Sequence, residues 1–279
     1  MAKASDVSDQ RYQNDEALWS LLLQRAAGRD IVRPVDMNDD GAFWNLYAPI
    51  ADGNLDRPFV LAQLGQSLDG RIATPTGCSR YINGPEALRH LHRLRALVDV
   101  VVVGIGTVIA DDPQLNVRLT EGPHPARVVI DPNGRLPSNA RLLADDGCSV
   151  FAVRTGEHAC PASVLPIVIA PGDGQLDPHA IVVALADRGY RRILIEGGAA
   201  TVSAFLAAGA VDRLHLSIAP IVIGSGPSGI SLPPIDQLDA AMRPHTTVYH
   251  LGQDVLFDCV FQTSGALSPD LAALDLVES

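Results

Sequence analysis

The chain has 279 residues, 47% of them hydrophobic and 19% charged, enough for one core of about 200 residues with extensions. With 21 Lys and Arg against 32 Asp and Glu, its net charge is −11, a field that repels nucleic acid and anionic membranes. No apolar run approaches the roughly 18 residues that span a bilayer, and MAKASDVSDQ has no apolar segment behind a basic start, so a cytoplasmic protein is expected.

Residues 1–55 read as an extension packed on the main body, with one amphipathic helix in EALWSLLLQRAAGR. The main domain, residues 56–263, opens on a β-rich run, FVLAQLGQ. GPEALRHLHRLRALV sets Leu88, Leu91, Leu94 and Leu97 on one helical stripe, with Pro85 in the first turn and Arg89, His90, His92 and Arg93 on the exposed face. VDVVVVGIG, ARVVID, SVFAVR, PIVIA and RRILIE follow as buried strands, interleaved with the helices DPHAIVVALADRGY and GAATVSAFLAAGA. Strands apolar throughout and separated by helices predict an α/β sheet covered on both faces. VDRLHLSIAPIVIG, then TTVYHLG and DVLFDCVFQ around Gly252-Gln253, predict an antiparallel finish and hence a mixed sheet. Residues 264–279 read as an acidic, loosely held tail. Cys78, Cys148, Cys160 and Cys259 are widely separated and read as ordinary thiols, and no histidine has metal-ligand spacing, so no metal is expected.

Two loops carry the chemical signal. In ILIEGGAATVSAFL a strand stops at Glu196 and two glycines and restarts as a small-residue helix, which leaves bare backbone N–H groups suited to an anion. In GIGTVIADDPQLNVR, Gly104 and Gly106 allow close approach of a ligand, Thr107 adds a hydroxyl, and Arg118 lies seven residues beyond Asp111. Both loops should emerge at the carboxyl ends of strands, where ligands of open α/β sheets gather. QSLDG, from Gln66 to Gly70, is a polar turn carrying Asp69. GSGPSG has the formal dinucleotide spacing, but Pro227 interrupts it and no helix follows, so it reads as a loop. There is no nucleophile elbow and no Walker lysine loop.

Taken in order, QSLDGRIA, SRYINGPEA, LRALVDVVVVGIGTVIADDPQLNVR, RVVIDPNGRLP, ILIEGGAATVSAFL and VDRLHLSIAPIVIG resemble the reductase domain of bacterial riboflavin-biosynthesis deaminase-reductases, from about Phe59 to Gln262. The resemblance implies a dihydrofolate-reductase-like three-layer α/β sandwich with a mixed, mainly parallel sheet and an antiparallel C-terminal hairpin. It also implies a homodimer, and NADPH-dependent reduction of the ribosyl group of 5-amino-6-(5-phosphoribosylamino)uracil. By the same resemblance Ser79, Arg95, Leu115, Arg118 and Glu196 match substrate-contacting positions. Gln66, Tyr81, Thr107, Asp111 and the run from Gly198 through Ala199, Ala200 and Thr201 to Ala204 match positions on NADPH, with Gly197 leading into them. Arg154-Thr155 is a candidate for the cofactor 2′-phosphate. Glu196 and Asp69 are the carboxylates given catalytic roles, Glu196 orienting the ribose hydroxyls and Asp69 supporting the cofactor loop; neither is assigned as general acid.

Two departures stand out. Gln63 occupies a position where the bifunctional members usually have lysine, and no H-x-E with a later P-C-x-x-C provides a deaminase half. A reductase of the same fold acting on a pterin or modified nucleotide, and a non-catalytic nucleotide-binding protein, remain the alternatives.

Overall fold

Strands β1 (Phe59–Ser67), β2 (Val100–Gly104), β3 (Ala126–Ile130), β4 (Val150–Arg154), β5 (Val164–Val168), β6 (Arg192–Glu196), β7 (Arg213–Ala219), β8 (His245–Leu251) and β9 (Asp254–Val260) form one sheet. Their order in this computed structural model is β5-β4-β3-β2-β6-β1-β7-β9-β8. Residues 4–34, 41–52, 56–80, 82–172 and 176–261 are described, with side chains from residue 15 onward. Every neighbouring pair from β5 to β7 is parallel, and only β9 runs against its neighbours β7 and β8.

Helices α1 (Ala4–Ala26), α2 (Ala42–Ala51), α3 (Pro85–Leu97) and α4 (Ile105–Asp111) contribute to the core on one face, against Leu61, Val101, Val129 and Leu194. Helices α5 (Pro178–Ala186) and α6 (Ala199–Ala207) cover the other face, against Val60, Val102, Val128 and Ile193. Consecutive residues of one strand thus enter opposite cores, which is why these strands read as unbroken apolar runs rather than as alternation.

Several expectations shift. The extension holds a second helix, α2, whose Trp44, Leu46, Tyr47 and Ile50 are buried. The strand expected at PIVIA starts two residues earlier, at Val164. VDRLHLSIA pairs in parallel with β1 and antiparallel only with β9, so the antiparallel finish begins one strand later than expected. GSGPSG is a loop, as read: no helix follows it and Arg71 donates to Gly224 O at 3.0 Å. The tail, residues 264–279, lies outside the described residues.

The largest correction concerns α3. His90, His92, Arg93 and Arg95 are buried, whereas Leu88 and Leu91 are only half-buried and line a cavity. For His90 and Arg93 the cause is the extension, which lays α1 and α2 over the polar side of α3, whereas Arg95 pairs with Glu196 of β6 and His92 accepts from the Arg118 backbone N–H. There the Arg93 guanidinium sits 4.6 Å from the Phe43 ring centroid and 5.6 Å from that of Trp19.

Under this cover runs a buried polar chain. Tyr47 Oη lies 2.8 Å from His90 Nδ1, His90 Nε2 lies 3.0 Å from His215 Nδ1, and His215 Nε2 lies 3.3 Å from Asp258 Oδ1. Arg213 donates to both Asp258 oxygens, with Nε at 2.6 Å. The anionic end sets the polarity. His215 turns its Nε2 toward the carboxylate at ion-pair distance, its Nδ1 accepts from His90, and His90 accepts from the Tyr47 hydroxyl, so each ring needs only one N–H. Burial, before any neighbouring charge, pushes the His90 and His215 pKa values down and that of His92 to about 3.

A pH dependence follows. Below the ordinary histidine value of 6.5 the unfolded chain binds protons that the folded chain refuses. Stability from these residues is therefore full above that pH and falls as the medium is acidified. Urea midpoints should drop between about pH 7 and pH 5; a flat profile there would contradict neutral buried rings.

Candidate active site

The carboxyl ends of β1, β2 and β6 meet at a cavity of about 780 Å³. The sheet order explains its place. The chain runs outward from β2 through β3 and β4 to β5, while β6, β1 and β7 lie on the other side of β2, and a crevice forms at such a switch point.

One wall is made by the two glycine loops. An ideal Cβ on Gly104 would lie 2.5 Å from Thr201 Oγ1, and one on Gly198, where φ is +24°, would lie 2.7 Å from Thr107 Oγ1. The turn after β2 and the turn after β6 therefore interlock, each threonine hydroxyl sitting where the opposite glycine lacks a side chain. Gly198 caps α6 without any side-chain hydrogen bond, which leaves first-turn N–H groups of a nine-residue helix beside the cavity. This wall fits a dinucleotide: the backbone is bare, the helix end is positive, and Gly106 has open space where a Cβ would be.

The other wall carries the charge. Glu196, two residues beyond the core residue Leu194, points toward the α3 face and receives Arg95 in a bidentate pair, Nε to Oε1 and Nη2 to Oε2, both at 2.7 Å. Arg95 Nη1 donates to Asn116 O at 3.0 Å. Both side chains are buried, 6% and 5% exposed, and Arg95 reaches the cavity lining while Glu196 lies behind it. Gln63 is Glu196's register partner on β1 and also lines the cavity. Arg118 donates its backbone N–H to His92 Nδ1 at 3.0 Å, and its pKa is pushed down by burial first, then by Arg95 and Arg141.

The structure brings Ser79, Arg95, Thr107, Asp111, Leu115, Arg118, Gly197, Gly198, Ala199, Ala200 and Thr201 to this one cavity. Ser79 donates to Asp111 Oδ1 at 3.3 Å. Other expected residues stand apart. Gln66 packs its amide against Gly229, and Thr155 donates to Pro132 O at 3.0 Å, neither lining the cavity. Arg154 is 1% exposed and donates to the carbonyls of His158 and Ala159, so its guanidinium is buried away from any 2′-phosphate. Tyr81 lies outside the described residues.

Asp69, expected as a support for the cofactor loop, stands outside the cavity lining. Its carboxylate accepts from Ser67 Oγ at 2.6 Å and from the backbone of Ile223 and Gly224 at 3.1 and 2.6 Å, which hold its pKa at about 2. It is a positioning group for the segment after β7, ionised at neutral pH, and it does not line the cavity.

Arg80, Asn83, Gln114 and Arg141 also line the cavity and were not singled out in the sequence. Arg141 arrives from the connection between β3 and β4, and no local motif announces it.

Residues 58–257 match the family described as the RibD C-terminal domain. This chain belongs to that family. Among curated relatives of this RibD C-terminal domain protein is the 2,5-diamino-6-ribosylamino-4(3H)-pyrimidinone 5′-phosphate reductase of Methanothermobacter thermautotrophicus. It is 35% identical over 72% of this chain and 97% of that protein. The riboflavin biosynthesis protein RibD of Escherichia coli is 34% identical over 73% of this chain, which spans only 60% of it. Among solved structures, a deaminase/5-amino-6-(5-phosphoribosylamino)uracil reductase of Thermotoga maritima aligns with TM-score 0.64 and 26% identity, over 79% of this chain and 59% of that one. The α/β class expected from the resemblance, with its mixed sheet and antiparallel end, stands.

Proposed function

We propose that this chain is an NADPH-dependent reductase of riboflavin biosynthesis that converts the ribosyl group of 5-amino-6-(5-phosphoribosylamino)uracil to the ribityl group. The observation that carries the reading is the sharing of one cavity by an uncapped glycine-lined helix end and a cationic wall backed by the Arg95–Glu196 pair. The names of the relatives supply the substrate class.

Gly197, Gly198, Ala199 and Thr107 would hold the dinucleotide phosphates, by backbone N–H groups and a hydroxyl. Bound there, NADPH would supply a hydride to C1′ of the ring-opened ribosyl imine, with a proton from substrate or water completing the amine. Glu196, fixed in rotamer by two hydrogen bonds from Arg95, orients Arg95 and the adjoining polyol. Arg118 meets the 5-phosphate. The Gln63 amide both donates and accepts, so it suits a pyrimidine bearing either an oxygen or an amino group at C2; the Methanothermobacter relative is named for the amino compound. We assign a homodimer to the β8 edge, where Val248 is 51% exposed on the last strand of the sheet and Leu238 and Met242 are exposed on the preceding segment. Light scattering giving a monomer would remove that assignment.

The test follows NADPH absorbance with the uracil substrate, its 2-amino precursor, and the dephosphorylated forms of both, with NADH in parallel. Oxidation that requires NADPH and the phosphate is the expected outcome. NADPH binding without oxidation of any of these compounds would refute the assigned substrate class.

A further inference from the structure

We propose that Arg141 and Arg118 form a two-armed clamp for the substrate's 5-phosphate, with the charge of Arg95 already engaged by Glu196. This rests on the reductase reading and adds to it a residue and a charge assignment.

A phosphate monoester carries about −1.5 to −2 charges near neutral pH, so a matched site needs close to two uncompensated cations. Four arginines line the cavity: Arg80, Arg95, Arg118 and Arg141. Arg95 is neutralised by its buried bidentate carboxylate and gives a further N–H to Asn116 O. Arg80 gives its guanidinium to the Asp111 backbone carbonyl at 3.2 Å. Two cations remain. Arg118 Nη1 donates to the neutral Asn116 Oδ1 at 3.0 Å, which aims the guanidinium without cancelling it. Arg141 has no hydrogen bond or ion pair on its guanidinium among the described residues.

The backbone is built to bring these two together. Asp112 and Leu115, with φ of 42° and 55°, are the only non-glycine residues at positive φ among the described residues, and both line the cavity. Such conformations cost about 1–3 kcal/mol each and persist where the surroundings impose them. Asp112 Oδ1 accepts the Arg141 backbone N–H at 2.8 Å, which ties this strained lip to the start of the 3-10 turn Arg141–Leu143. The Asp112 carboxylate is thus turned to the backbone and makes no ion pair with either arginine among the described residues. Arg118 also feels Arg141 as a like charge. Two guanidiniums that share one cavity wall, neither paired with a carboxylate among the described residues, make an incomplete site.

The experiment uses full-length wild type, Arg141→Ala, Arg141→Lys and Arg118→Ala. It reads kcat and KM for phosphorylated and dephosphorylated pyrimidine, and, without turnover, equilibrium binding of ribose 5-phosphate and of NADPH. Arg141→Ala should raise KM for the phosphorylated substrate and weaken ribose 5-phosphate binding by about tenfold to a hundredfold each. The effect on KM for the dephosphorylated compound and on NADPH binding should be small, and Arg141→Lys should recover part of the loss. Unchanged ribose 5-phosphate binding in Arg141→Ala, with loss only in Arg118→Ala, overturns the clamp. Loss of NADPH binding alone overturns it too, because Arg141 would then serve a cofactor phosphate. Wild type that reduces no pyrimidine refutes the reductase reading, and ribose 5-phosphate binding still decides the clamp; wild type that fails to bind ribose 5-phosphate refutes the clamp.

Discussion

Glu196→Gln should cost about 3–5 kcal/mol of stability and about a hundredfold or more in turnover, and replacing Arg95 as well should restore only the first. Arg95 and Glu196 are 6% and 5% exposed and joined by two hydrogen bonds of 2.7 Å, so removing the carboxylate's charge leaves a guanidinium buried without its counterion. Exchanging both partners for apolar residues, Arg95→Met with Glu196→Leu, removes both desolvation costs together and often returns a protein to its starting stability. Catalysis has no such compensation, because the carboxylate that fixes Arg95 against the cavity is lost in both variants. Chemical denaturation gives the stability, and single-turnover NADPH oxidation gives the rate. A double variant that recovers turnover along with stability would show that the pair is only structural.

Trp19→Ala should destabilise the protein by about 3–5 kcal/mol, a large part of the ~5–15 kcal/mol that holds a typical domain together. The ring is 1% exposed, meets Tyr47 edge-on at 5.7 Å, and donates from Nε1 to Glu121 O at 3.0 Å. Its neighbours Leu18, Leu22, Tyr47 and Ile50 share one core with Leu94 and Leu97 of α3. The extension lies outside the matched family segment, residues 58–257, yet it covers the helix that carries Arg95. Deleting residues 1–57 should therefore give an aggregating or unfolded chain rather than a lean enzyme. A melting temperature unchanged in Trp19→Ala would mean that α1 merely rests on the surface.

Local chemistry made much of this protein legible from its residues. Unbroken apolar runs such as VDVVVV announce strands buried on both faces, Pro85 opens α3, and Glu196-Gly197-Gly198 ahead of small residues marks a bare helix end. These signals are readable because sterics and backbone hydrogen bonding act between near neighbours. Periodicity failed on α3 because it reports which side of a helix is polar, and not what will cover that side. His90, Arg93 and Arg95 look like solvated charges until α2 supplies Tyr47 and Phe43 and β6 supplies Glu196. Arg154 shows the same limit in reverse: a cation after a strand reads as available for an anion, yet β4 places it under the carbonyls of His158 and Ala159.

What the chain determined by itself is the strands, most of the helices but not α2, and the two glycine loops, because each rests on contacts within a few residues. Tertiary structure alone decided which charges are free. Arg95 and Glu196 are 101 residues apart and cancel, while Arg118 and Arg141 come from separate loops to one wall and do not. Coulombic balance depends on distance and burial in space, and neither is written in the spacing of residues along the chain.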